Sequence, residues 1–191
     1  MLKQLLCSDL ARQSELAGKT VSRPGFGGLL RRLLHPRFLP IVLCRASRAA
    51  MLRRVPALPA LLSYLNIVLF GLEVSARSEI GPGIFFPHPS GTVIGAWRIG
   101  RNVTIFQGVT LGAKELDMRF DVKLRPEIGN NVVVGAGAKI LGGIHIGDNS
   151  SVGANAVVLE SIAANSIAVG VPAHQLAKSR EQKGDAATAG A

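Results

Sequence analysis

The sequence predicts a mainly β fold: a parallel β-helix preceded by a short α-helical segment. Two observations carry that reading. From Ile128 to Ile162 the chain divides into sixes that open on Ile or Val, at 128, 134, 140, 146, 152 and 158. The next position is Gly at 129, 135, 147 and 153, and the position four after the opener is small or apolar: Val132, Ala138, Ile144, Ser150, Ala156 and Ile162. A fixed six-residue period belongs to stacked repeats, whereas ordinary strands alternate with a period of two. Each hexapeptide is one short strand and one turn. Its aliphatic residue points inward onto the coils above and below, and Gly and Asn supply the unusual backbone angles of the turns. Three hexapeptides complete one triangular coil.

The period extends upstream. Val74, Ile80, Phe86 and Thr92 are six apart, and a seven-residue step leads to Ile99, Ile105 and Leu111. The rule breaks from about Ala113 to Glu127 and restarts at Ile128, so a loop is thrown out of the coil there. The expected organisation is a basic, helical N-terminal segment over residues 1–72, a β-helix domain over 73–177 and a disordered tail over 178–191. Within the first segment, residues 1–28 read as weakly ordered, with a turn or linker at Arg23-Pro24-Gly25-Phe26-Gly27-Gly28. Helices are expected at Leu29 to His35, Arg37 to Arg54 and 60–72, with Pro56 and Pro59 interrupting.

Composition fits this plan. A chain of 191 residues accommodates one solenoid domain with an appendage. Hydrophobic residues reach 48% and aromatics only 5%, which suits a narrow coil interior filled by Val, Ile and Ala. Cys7 and Cys44 have no metal or redox spacing and read as reduced thiols of a cytosolic protein. No secretory signal is evident, so a cytoplasmic location is expected. The scattered histidines, unpaired with Cys, predict no metal site.

The net charge of +10 is uneven: residues 1–60 hold eleven Lys or Arg and two acids, and the remainder eleven and ten. Such a segment faces anionic lipid, an acidic partner or nucleic acid. Nucleic acid is the least favoured, because no recognition module is visible and aromatics are missing from the basic run. The apolar stretch 60–72 is too short to cross a bilayer, which needs about 20 residues. It reads as a helix packed over the open end of the coil or against a neighbouring subunit, or as a peripheral membrane-surface element.

Chemistry is expected where the coil is decorated. In Phe86-Pro87-His88-Pro89-Ser90-Gly91 a histidine follows an inward-pointing residue by two and is flanked by prolines that fix the backbone. Of the other histidines, His35 lies in the basic segment, and His145 and His174 lack a carboxylate at a comparable coil position. Glu73 stands fifteen residues before His88, close to a whole number of hexapeptide faces, so the two can lie one above the other on neighbouring coils. A carboxylate beside an imidazole fixes its tautomer and raises its basicity, as a general base requires.

These residues carry a resemblance. The segment from Glu73 to Pro172 resembles the hexapeptide-repeat acyltransferases, and most closely the serine O-acetyltransferase branch. The matching stretches are Ile84-Phe-Phe-Pro-His88-Pro-Ser-Gly-Thr-Val-Ile-Gly95, Val103-Thr-Ile-Phe-Gln-Gly-Val-Thr-Leu-Gly112, Val134-Gly-Ala-Gly-Ala-Lys-Ile-Leu141 and Ala168-Val-Gly-Val-Pro-Ala173. The resemblance implies a left-handed β-helix, a homotrimer and acetyl-CoA as co-substrate in a groove between subunits. It implies direct acetyl transfer to the hydroxyl of a small-molecule acceptor, with His88 as base and Glu73 as the carboxylate that orients it. Gly112 and Ala113, where the loop opens, and Ala136 and Ala154, on the coils, match CoA-binding positions.

Departures from the branch bear on the acceptor. Pro87 stands where an Asp usually precedes the catalytic histidine. Arg125, within Lys123-Leu-Arg-Pro126, stands where a His is usual, so Arg125 or Lys123 is the expected partner of a substrate carboxylate. The N-terminal helical part is shortened, which favours a trimer over a dimer of trimers. Two acceptors stay open: L-serine, favoured by the motifs, and a sugar of polysaccharide assembly, favoured by the basic, apolar N-terminus.

Overall fold

The computed structural model describes residues 2–18 and 35–178. The linker expected at 23–28, the helix expected at 29–35 (His35 apart) and the tail beyond Lys178 lie outside the described residues. Weak order over 1–28 is corrected for residues 2–16, which form helix α1, Leu2–Leu16. The reason is a buried tether. Asp9 is wholly buried and pairs with Arg45 Nε at 2.9 Å. Its Oδ1 also accepts from the Gly83 and Ile84 amides at 2.7 and 3.1 Å. Leu6 and Leu10 pack beside it on the core.

Helix α2, Leu39–Leu52, falls within the expected span. Helix α3, Leu58–Phe70, starts earlier than expected, because Pro59 sits in the first turn, where a missing N–H costs nothing. It stops at Gly71, whose φ of 63° is left-handed, and strand β1 begins at Leu72. The α2–α3 hairpin is pinned by polar contacts: Ser47 Oγ donates to the Pro59 carbonyl at 3.0 Å, and Asn66 Nδ2 donates to the Pro40 carbonyl at 3.2 Å.

From Leu72 the chain winds through three sheets. The first contains β1 (Leu72–Val74), β3 (Thr92–Ile94), β6 (Thr110–Gly112), β9 (Lys139–Leu141) and β12 (Val157–Val158). The second contains β2 (Glu79–Ile80), β4 (Arg98–Ile99), β7 (Glu127–Ile128) and β10 (His145–Ile146). The third contains β5 (Thr104–Ile105), β8 (Val133–Val134), β11 (Ser151–Val152), β13 (Ser166–Val169) and β14 (His174–Ala177). All pairings are parallel except β13 with β14, where the chain folds back over the last coil.

The aliphatic openers form the core as expected. Ile99, Ile128 and Ile146 stack in one row, and Ile105, Val134, Val152 and Ala168 in another, each at most 2% exposed. One step of the predicted count is corrected. The register pairs Val74 with Ile94 and Ile94 with Leu111, so Ile94, not Thr92, is the opener of its coil. Phe85 bridges Thr104, which puts Phe86 level with Ile105. The step from Phe86 to Ile94 is therefore eight residues and the next, to Ile99, is five. The extra pair lies in the corner that holds His88.

The corner after the second sheet is a polar ladder. Asn102, Asn131, Asn149 and Asn165 all hold φ near 55–58°. Their amides chain together from Asn102 to Asn131 at 3.2 Å, Asn131 to Asn149 at 3.0 Å and Asn149 to Asn165 at 3.4 Å. Asn tolerates the left-handed region and bonds locally, so one residue type serves turn and ladder together.

Candidate active site

The site is built on the corner between the third sheet and the first. Pro87-His88-Pro89-Ser90-Gly91 forms it on the first coil, Phe106-Gln107-Gly108 on the next, and Gly135-Ala136-Gly137 and Gly153-Ala154-Asn155 above. Main-chain bonds stitch the edge together: Gly108 N to the Ser90 carbonyl at 3.0 Å, Gly137 N to Gln107 at 2.8 Å and Asn155 N to Ala136 at 2.8 Å. By register, His88, Gln107, Ala136 and Ala154 share this edge. The αL positions stack beside them, and at Gly137, with φ 73°, a Cβ would collide with the Asn155 side-chain oxygen. The two extra residues at Pro87–Pro89 push His88 out of the coil, and its side chain is exposed.

Glu73 is also exposed, in the middle of β1, and its register partner is Val93, five residues past His88. Glu73 and His88 are not register partners. Among the described residues no hydrogen bond or ion pair joins them. The inserted pair at the corner causes the offset, because it lengthens the chain between His88 and β3.

The expectation that His145 lacks a carboxylate partner is corrected. His145 pairs in register with Glu127, and its Nδ1 lies 3.8 Å from Glu127 Oε2. The signal was present in the sequence: the two are eighteen residues apart, three hexapeptides, one full coil. Arg98 completes the column at 3.3 Å from Glu127 Oε1. This is an exposed charge ladder along the flat outer face of the second sheet. His174 is exposed on β14.

Gly112 and Ala113 stand at the opposite end of β6 from Gln107 and Gly108. A Cβ at Gly112 would meet nothing within 4 Å, so the surface beside it is open. From there the loop runs through 113–126, with a short 3₁₀ turn at Val122–Leu124, before β7 resumes the coil. Arg125 organises this loop. Its Nε donates to Asp117 Oδ2 at 2.8 Å, Nη2 to the Asp117 carbonyl at 2.9 Å and Nη1 to the Gly95 carbonyl at 3.0 Å. The guanidinium also lies 4.1 Å from the Phe120 ring centroid. Burial works to raise the Asp117 carboxyl, but hydrogen bonds from Arg125 and from the Asp121 and Arg119 amides outweigh it and hold it below the ordinary carboxylate range. The carboxylate that Arg125 grips is therefore one of its own chain. Lys123 is exposed, and its carbonyl presses against Gly143, where no Cβ fits.

Sequence reasoning passed over Lys139. Its Nζ donates to the Gly108 carbonyl at 2.5 Å, across the first sheet onto the His88 edge. It is the last residue of the hexapeptide Val134–Lys139, an outward position that the pattern marks only as polar. The candidate residues thus divide between two edges of one face. His88, Ala136 and Ala154 hold one; Gly112, Ala113, Lys123 and Arg125 hold the other.

Residues 125–160 match the family Bacterial transferase hexapeptide (six repeats). The serine acetyltransferase of Helicobacter pylori (strain J99) is 42% identical over 149 residues, which are 78% of this chain and 85% of that protein. The chain belongs to the serine acetyltransferase family. The Synechococcus elongatus member is 40% identical over 153 residues, covering 80% of this chain and 62% of that protein, so the chain spans less than two thirds of that relative. A solved serine acetyltransferase in complex with CoA superposes with a TM-score of 0.75 at 29% identity, over 92% of this chain and 69% of that one. Family membership agrees with the hexapeptide-repeat acyltransferase resemblance carried by the motifs around His88 and Val134.

Proposed function

We propose that this chain is an acetyl-CoA-dependent serine O-acetyltransferase, folded as a left-handed β-helix, in which His88 is the general base. The observation that carries the reading is the 42% identity across most of a serine acetyltransferase, joined to a corner where the repeat is interrupted to present a histidine. His88 is preferred to His145 because the coil departs from its period to place it, whereas His145 occupies an ordinary strand position.

The mechanism is direct transfer. His88 removes the proton from the serine hydroxyl as its oxygen attacks the thioester carbonyl carbon. The oxyanion of the tetrahedral intermediate is stabilised by backbone N–H groups near the loop. The C–S bond then breaks, CoA leaves as thiolate and takes the proton from His88, and O-acetylserine is released. Glu73, exposed on β1, is assigned as the positioning residue whose negative charge supports the imidazolium formed as His88 takes the proton. Neither thiol is required, since Cys7 and Cys44 both precede the coil.

The division of the candidate residues supports a homotrimer. One protomer carries the His88 edge and the Gly112 edge at opposite ends of the same strands. An open groove that used both would form where the His88 edge of one subunit meets the loop edge of the next. There Ala136 and Ala154 leave room for the CoA arm, and Gly112 and Ala113 border it. Lys123, whose side chain is exposed, is the better placed of the two cations to hold a serine carboxylate, since Arg125 already grips Asp117.

The engagement of Arg125 favours keeping a second acceptor in the test, a sugar hydroxyl. The test is thiol release from acetyl-CoA with L-serine and with a panel of sugars. Turnover with L-serine is expected. Turnover with sugars alone would reject serine as acceptor and leave the acetyltransferase frame intact. His88→Ala should lower kcat by about 10²–10⁴-fold, while His145→Ala should leave it near the parent value. Glu73→Gln should lower kcat while leaving the KM for acetyl-CoA near the parent value, a split that general loss of structure would not produce. The reverse pattern at His88 and His145 would reject the assignment.

A further inference from the structure

Helix α3 exposes most of its apolar side chains, although Phe70 packs against the core. Its inward side carries Ser63, which shares a hydrogen bond with Ser47 at 3.1 Å, and Asn66, which is 1% exposed. Asn66 is the one fully buried residue of the helix. Its outward side carries Leu58, Leu61, Tyr64, Leu65, Val68 and Leu69, between 36% and 63% exposed. At about 100° per residue these six form a stripe roughly 140° wide. A surface helix of a globular protein usually keeps its apolar stripe toward the core, and a contiguous exposed apolar stripe marks a contact.

The charge around the stripe selects what it contacts. The described residues between Glu15 and Glu73 include Arg37, Arg45, Arg48, Arg53 and Arg54 and no acid. Arg45 is paired with Asp9 and Arg48 with Glu79. Arg53 and Arg54, directly ahead of α3, are exposed and make no ion pair among the described residues. A second copy docked through the same helix would bring these cations together with no acid from the segment to oppose them. An anionic surface opposes them directly. No helix among the described residues is long and apolar enough to cross a membrane. A 13-residue helix of this kind instead lies in the plane of the bilayer interface.

We propose that α3 docks in-plane on an anionic lipid bilayer, with Leu61, Tyr64 and Val68 entering the acyl boundary and Arg53 and Arg54 meeting lipid phosphates. The contact is independent of the acceptor used in acetyl transfer, because α3 carries none of the residues assigned to that reaction.

The test is flotation of the full chain with vesicles of phosphatidylcholine, alone and with added phosphatidylglycerol. The chain should float only with the second. Arg53→Gln and Arg54→Gln should each weaken binding about fivefold at low salt. Leu61→Glu with Val68→Glu should abolish it, while the rate of thiol release, which reports an intact fold, is unchanged. Absence of flotation with phosphatidylglycerol overturns the proposal. Light scattering then tests the other occupant: a smaller assembly in the Leu61→Glu, Val68→Glu variant gives the stripe to a second copy. Flotation that survives the double substitution also overturns it, since another surface would be responsible.

Discussion

Replacing Asp9 by Asn should detach the N-terminal helix from the coil at a cost that the contacts themselves set. Asp9 accepts four hydrogen bonds: from Arg45 Nε and Nη2 at 2.9 and 3.0 Å, and from the Gly83 and Ile84 amides at 2.7 and 3.1 Å. Three of them fall on Oδ1. An amide nitrogen at Oδ1 faces three donors, and at Oδ2 it faces Arg45 Nε. In either orientation a donor opposes a donor, and Arg45, whose side chain is 4% exposed, stays buried without its counter-charge. Breaking a buried pair from one side typically costs about 3–5 kcal/mol. Arg45 keeps its bonds to the Ile80 and Gly81 carbonyls, which places the expected loss near the lower end. For a chain of this size about 2–4 °C of Tm goes with each kcal/mol, so a fall of roughly 6–12 °C is expected. Thermal unfolding by circular dichroism at fixed protein concentration would read it. A double change, Asp9→Leu with Arg45→Met, should be less damaging than Asp9→Leu alone, because no charge is then stranded. A Tm within about 2 °C of the parent for Asp9→Asn, or a double variant no better than the single, would refute the tether.

Two further outcomes follow from ionisable groups. The Asp117 carboxyl, held below its ordinary value of 3.8 against the opposing effect of burial, makes the loop contact with Arg125 persist through neutral and mildly acid pH. A depressed carboxyl contributes above its unfolded value and loses that contribution as pH falls through its folded value, so loop release should begin only below 3.8. An NMR titration of the Asp117 side-chain carbon with a midpoint above 3.8 would contradict the geometry. The Cys44 thiol, beside the Asn66 amide at 3.1 Å, is pushed by burial up to about 12. It should resist a disulfide reagent at pH 8 until the chain unfolds, while exposed Cys7 reacts in the native state. A raised thiol contributes fully below its unfolded value of 9.0 and loses that contribution as pH climbs toward 12, so alkali should destabilise the fold across that window. Equal labelling of both thiols in the folded protein would exclude the burial.

How much of this was legible depended on whether a residue's surroundings repeat. Ile128, Val134, Ile140, Ile146, Val152 and Val158 each sit on the coil below in the same way, so a six-residue count placed all of them in the core, each at most 2% exposed. The same count failed at Thr92, because a period cannot say where an insertion is absorbed. The two extra residues at Pro87–Pro89 are compensated in part by a five-residue step to Ile99, and only the pairing of Val74 with Ile94 reveals it. That offset also explains why a spacing of fifteen between Glu73 and His88 reads as close to a whole number of hexapeptide faces, whereas the register partner of Glu73 is Val93. The eighteen between Glu127 and His145, with no insertion between them, is vertical stacking. Asp9 was illegible for a different reason. Its partners are 36 and about 74 residues away, and nothing local to an acid in a helix of balanced charge marks it for burial. The histidine at 88 was legible from its flanking prolines and local motif, although the period did not show that the coil lengthens there.

In the function proposed above, breaks in the repeat are also where the fold and the reaction meet. A regular hexapeptide keeps its outward residues on a flat face, as in the Arg98–Glu127–His145 column, where charges satisfy one another along the sheet. A residue that must reach a substrate has to leave that face. The coil allows this in two places with low cost to its core: the corner lengthened at His88 and the loop after Gly112. The inward rows continue past both, with Ile105 and Leu111 fully buried between them. The stack supplies rigidity, and each interruption supplies one exposed edge. Because the two interruptions open on opposite ends of the same strands, a single subunit offers two half-sites. Trimer formation, in the reading proposed here, joins them, which ties acetyl transfer to assembly.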